Sequence, residues 1–96
     1  MHATSHETTA ARPPISVLTV DDSASMRMLL KVSLTAQGYA IEGAEDGVRG
    51  LERMKELDPD LLITDINMPH MDGFELIEAV RGLPEFRGTP ILVLST

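Results

Sequence analysis

Ile15-Ser16-Val17-Leu18-Thr19-Val20-Asp21-Asp22 decides how this chain is read. A short, β-branched, largely apolar run stops abruptly at two acids. Such a run suits a strand buried on both faces, as in a parallel sheet covered by helices. Leu61-Leu62-Ile63-Thr64 has the same character and also stops at an acid, Asp65. Ile91-Leu92-Val93-Leu94-Ser95 is a further run of this kind, the fourth strand in chain order, and Tyr39 to Ala44 reads as the short second strand.

Helical patterns separate the strands. Ser23 to Gln37 places Met26, Leu29, Leu30 and Leu34 on one face, with Asp22 or Ser23 as cap and Gly38 just past the end. Val48, Leu51, Met54 and Leu57 mark a helix from Gly47 to Leu57, capped by Asp46 and stopped by Asp58-Pro59. Phe74, Ile77 and Val80 give the inward face of a third helix that ends near Gly82. Asn67 to Gly73 and Leu83 to Pro90 are loops rich in turn residues. The order βαβαβαβ predicts an α/β fold, a doubly wound parallel sheet with right-handed crossovers. Alternation alone leaves the neighbour order of the strands open.

With 96 residues, one domain is expected. Residues 1–14 carry almost no large apolar side chains and read as a disordered tail, so roughly 80 residues remain to build a core. The net charge of −7 and the few scattered Lys and Arg residues give no nucleic-acid footprint. The absence of Cys excludes disulfides and thiolate metal sites. No stretch resembles a secretory signal or approaches the ~20 apolar residues of a membrane span, which makes the cytoplasm the default compartment.

Ligands of open parallel sheets bind beyond the carboxyl ends of the strands. That is where Asp21, Asp22, Asp65 and Ser95 fall. A lone strand-end Asp commonly does no more than cap the next helix. Three of them, if brought together, repel one another unless a cation offsets their charge. Mg²⁺, which prefers oxygen ligands and keeps several waters, suits such a set, and Asp65 could then act as a nucleophile toward a phosphoryl group.

Val20-Asp21-Asp22-Ser23, Thr64-Asp65-Ile66-Asn67-Met68-Pro69-His70-Met71-Asp72-Gly73 and Pro90-Ile91-Leu92-Val93-Leu94-Ser95 resemble the receiver domain of bacterial two-component response regulators. Asp22-Ser23-Ala24-Ser25-Met26-Arg27 and Ala44-Glu45-Asp46-Gly47 are similar to its single-domain chemotaxis (CheY-like) type. The resemblance covers Ile15 to Thr96 and implies a flavodoxin-like sheet of strand order 2-1-3-4. It implies that Asp65 is the phosphoacceptor, charged by a CheA-like sensor histidine kinase. It implies that Asp22, Asp65 and the backbone carbonyl of Asn67 ligate Mg²⁺, that Asp21 assists through ordered water, and that Ser95 is the switch hydroxyl.

Two departures from the family pattern stand out. Thr96 follows the switch hydroxyl where the family has a very small residue, and so narrows access to Asp65. The family also continues with a fifth strand and two more helices, and with a lysine for the phosphoryl group. Lys31 and Lys55, the only lysines here, sit on predicted helices. Residues 15–96 therefore read as an incomplete receiver domain with impaired output, either a short protein or a fragment of a longer one. As an isolated chain it should be weakly stable, or form a homodimer through strand four or a domain swap.

Other polar residues have plainer readings. His2 and His6 lie in the tail, His70 is a solvent-exposed loop residue, and Glu42-Gly43-Ala44-Glu45-Asp46 is a solvated stretch ending in a cap. The methionines read as packing. Two further functions compete with the signalling module. One is a phosphatase of the haloacid dehalogenase type, disfavoured because Asn67 stands where that chemistry needs a second Asp. The other is a non-phosphorylated interaction module that uses the strand edge.

Overall fold

The computed structural model describes residues 13–95. Most of the expected tail, residues 1–14, and the reading of Thr96 lie outside the described residues; Pro13 and Pro14 are exposed and have no regular structure. Strand β1 (Ser16–Val20) is followed by α1 (Ala24–Thr35), β2 (Ala40–Ala44), α2 (Gly47–Leu57), β3 (Leu61–Asp65), α3 (Gly73–Arg81), a 3₁₀ turn (Pro84–Phe86) and β4 (Ile91–Leu94). The sheet order is β2-β1-β3-β4 and every pairing is parallel. This is the doubly wound arrangement expected, and it makes β1 and β3 neighbours, with Val20 across from Thr64.

Alternation along the strands supplies both faces of the sheet. Leu18, Val20 and Leu62 face one side, where Met54 of α2, Leu76 and Val80 of α3 and Phe86 complete the larger core. Val17, Ile41 and Ile63 face the other side, covered by Leu34 of α1 together with Tyr39, Leu61 and Leu94. The two faces are unequally sealed, since α1 contributes no buried residue.

The helix ends follow local chemistry. Ser23 caps α1, its hydroxyl accepting the Met26 N–H at 3.2 Å, and the chain turns out of the helix at Gly38 with φ of 95°. Asp46 caps α2 through the Arg49 N–H, and Asp58 closes it in a left-handed conformation before the buried Pro59. Asp72 and Glu75 form a reciprocal capping box on α3.

Three expectations need correction. Phe74 was expected to face inward but is 62 % exposed. The buried row of α3 is Gly73, Leu76 and Val80, and Phe74 lies about 100° around the helix from Gly73. Leu29 is likewise exposed. With Met28 and Val32 it forms an apolar stripe, and these three line a shallow groove with Ala24 and Ser25. The expected loop over Leu83 to Pro90 contains the 3₁₀ turn that delivers Phe86 to the core, tied down by the Arg81 guanidinium donating to the Phe86 carbonyl at 2.7 Å. No periodic pattern signals a lone aromatic in so short a segment.

Leu76→Ala should therefore cost about 2–5 kcal/mol in urea melts. Phe74→Ala, on the same helix, should stay within about 0.5 kcal/mol.

Candidate functional site

The carboxyl ends of β1 and β3 carry the acids. Asp21 leaves β1 with its backbone and side chain both held. Its N–H donates to the Ala44 carbonyl of β2 at 3.1 Å, and its Oδ1 accepts the Ser23 N–H at 2.8 Å. Its carbonyl accepts from the Arg27 guanidinium at 2.6 Å. Asp65 is the last residue of β3, and its Oδ1 accepts the N–H of Ile66 at 2.8 Å. Buried Thr64 donates its hydroxyl to the Asp65 carbonyl at 3.0 Å.

Because Val20 pairs with Thr64, the next residue on each strand reaches the same end of the sheet. Asp21, Asp22 and Asp65 each present a carboxylate oxygen, and the three lie within 4.8 Å of one another. Asp21 and Asp65 are buried, at 6 % and 8 % exposure, whereas Asp22 is open to solvent. Burial raises the Asp21 pKa above the ordinary carboxylate value. The Ser23 N–H opposes the rise, Asp65 and Asp22 add to it, and Arg27 opposes it in turn.

This donor set fits a hard divalent cation. It is all oxygen, anionic and open on the Asp22 side. Asp65 Oδ2 and the backbone carbonyl of Asn67 receive no protein hydrogen bond among the described residues, so both can be shared with a ligand. Asn67 lies exposed in the loop after β3. Leu94 pairs with Asp65, which puts exposed Ser95 just beyond it at the same sheet end. Lys31 lies in α1 and Lys55 in the last turn of α2. His70 is exposed, with φ of 70°.

The loop after Asp65 is held close. Met68 and Met71 pack against the larger core, and the Gly73 N–H donates to the Ile66 carbonyl at 2.8 Å. A Cβ on Gly73 would run into the Asp65 carbonyl oxygen and Ile66 Cα. Only glycine lets α3 start this near the acid that ends β3.

A family model described as response regulator receiver domain matches residues 17–96. The chain belongs to that family. Among solved structures, the chemotaxis response regulator CheY4 of Vibrio cholerae superposes with a TM-score of 0.82 at 41 % identity, over 84 % of this chain and 68 % of that one. The response regulator MprA of Mycobacterium tuberculosis H37Rv is 40 % identical over 81 residues, 84 % of this chain and 34 % of its own length. The sensor protein EvgS of Escherichia coli K12 is 48 % identical over 67 residues, 70 % of this chain and 6 % of its own. The chain thus spans about two thirds of the solved CheY4 chain, about a third of MprA and a small part of EvgS. Receiver domains are signalling modules, and they occur here in relatives named both as regulator and as sensor.

Three contributors to this receiver site escaped the sequence reading. Arg27 reaches back along the first turns of α1 to the Asp21 carbonyl, and the one signal for it in the sequence is its place shortly after the acidic pair. Thr64 reads in sequence as an ordinary strand residue, and Gly73 as an ordinary turn residue.

The pH dependence follows from Asp21. A carboxyl with a raised folded pKa stabilises the fold while protonated, and that contribution is lost as pH rises through its folded value. In EDTA, the wild-type chain should lose stability relative to Asp21→Asn on going from acid to neutral pH. Parallel thermal melts of the two proteins across that range measure the difference.

Proposed function

We propose that this chain is the phosphoacceptor of a two-component pathway, with Asp65 as the accepting residue. The observation that carries this reading is the buried Asp65 carboxylate, one oxygen tied to the Ile66 N–H and the other unbonded, beside two further acids. The donor is a phosphohistidine on a sensor histidine kinase. The P–N bond breaks, the imidazole keeps the electron pair, and an O–P bond forms on Asp65 Oδ2. The transfer depends on positioning and electrostatics.

Asp22, Asp65 and the Asn67 carbonyl would hold Mg²⁺, with Asp21 acting through ordered water. When bound, Mg²⁺ supplies positive charge against the phosphoryl oxygens. Ser95 is the hydroxyl that turns toward the phosphoryl group. The Asp22–Arg27 and Ala44–Gly47 segments and the likeness to CheY4 support a chemotaxis assignment with a CheA-like kinase, acting in the cytoplasm.

Incubation with Mg²⁺ and acetyl phosphate should label the wild-type chain, with label that hydroxylamine removes, and should leave Asp65→Asn unlabelled. Repeated turnover of phosphate would point instead to a phosphatase. Absence of label with the cation bound would overturn the phosphoacceptor reading.

The edge of β4 favours a second, compatible role, self-association of the 96-residue chain. The Leu62 N–H donates to the Pro90 carbonyl at 3.0 Å, so the parallel ladder turns Leu92 and Leu94 toward β3. The N–H and C=O groups of Ile91 and Val93 then point outward, beside the exposed Leu92 side chain. Strand edges of this kind, with no charge or bulge, pair with other chains. Light scattering should show a dimer that Val93→Pro converts to monomer, because proline there removes an outward donor and spares the bonds to β3. A wild-type monomer would rule this role out.

A further inference from the structure

Arg27 is the one cation on α1 whose head group reaches the acidic end of the sheet. It approaches the backbone rather than a carboxylate, donating to the Asp21 carbonyl at 2.6 Å. Asp21 is thereby held from three directions: by Ala44 of β2 at its N–H, by Ser23 at its carboxylate, and by Arg27 at its carbonyl. The Asp21 carbonyl belongs to the peptide bond that leads into Asp22. Whatever fixes that peptide fixes the direction in which Asp22 leaves the strand.

The path of the Arg27 side chain is built into β2. Gly43 lies across from Thr19 in the sheet register, and a Cβ added there would stand 3.3 Å from Arg27 Cδ, tighter than ordinary packing. Glycine weakens a strand, and a strand glycine commonly marks the close approach of another group. Here the group is the stem of Arg27, half-buried against β2.

From this geometry we infer that Arg27, given room by Gly43, is a positioning residue for the cation site: it clamps the Asp21–Asp22 peptide so that Asp22 is aimed before the ion arrives. The inference rests on the cation site proposed above. It runs against the simple electrostatic expectation, in which removal of a nearby positive charge would tighten cation binding. The two effects have opposite signs, so one measurement separates them.

The test uses Mn²⁺ alone as probe, titrated into the full chain and followed by the EPR signal of the free ion. Arg27→Ala should weaken binding about ten-fold, the scale found when groups that orient metal ligands are removed. Arg27→Lys should restore most of that loss, since one ammonium donor suffices for one carbonyl. Gly43→Ala should weaken binding in the same direction by crowding Arg27, while the metal-free melting temperature holds or rises, a split that a merely structural role would not give. Unchanged or tighter binding in Arg27→Ala overturns the inference. So does a loss that lysine leaves unrestored and that follows a fall in melting temperature. Failure of the wild-type chain to bind Mn²⁺ would instead overturn the cation site itself.

Discussion

Mutual repulsion among carboxylates at the ends of β1 and β3 is the constraint around which the fold is arranged. Like charges whose oxygens lie within 4.8 Å of one another repel by roughly 3 kcal/mol or more at an effective dielectric near 20. Among the described residues little offsets this. Arg27 spends its hydrogen bond on a backbone carbonyl, and the surface ion pairs lie elsewhere, among Arg49, Arg53, Glu42, Glu52 and Glu56. A site that holds its acids together against their charge is ready for an oxygen-seeking cation. Burial above all, with the charges of Asp65 and Asp22 adding to it, pulls Asp21 toward protonation.

The scaffold tolerates this because the acids sit at the ends of strands that are largely apolar and buried. Val20 and Thr64, the residues just before the acids, are almost fully buried, and the ladder between β1 and β3 fixes their separation. The loop beyond Asp65 is pinned by Met68 and Met71 below and by Gly73 at the start of α3. Hydrophobic packing thus imposes an electrostatic arrangement that the acids would not adopt by themselves.

Much of this could be read from residue order. Apolar runs that end in acids gave the strands, and the caps at Asp22 or Ser23 and at Asp46 marked the first two helix starts, whereas the Asp72 cap of α3 emerged only from the structure. The adjacency of β1 and β3 came from family resemblance, because alternation of elements does not order a sheet. Side-chain direction was less legible. Phe74 and Leu29 fit an apolar period yet face solvent, since a short helix against a twisted sheet buries a narrow row and the edge of the pattern is lost. Phe86 and Arg27 were missed for a related reason. Each acts through one long-range contact, and a single contact leaves no period behind.

The unequal sealing of the two sheet faces has a dynamic consequence. Helix α1 buries no residue fully, whereas α2 and α3 each contribute to the deep core. Local opening begins where buried apolar contact is least, which among the three helices is α1. Ser23 at its N-cap and Arg27 within it are two of the three residues that hold Asp21. Order in α1 would therefore be thermodynamically linked to occupancy of the proposed cation site: an ion that needed Asp21 and Asp22 in place would shift the helix toward its docked state, and a partner that gripped α1 would change the affinity of the pocket in return.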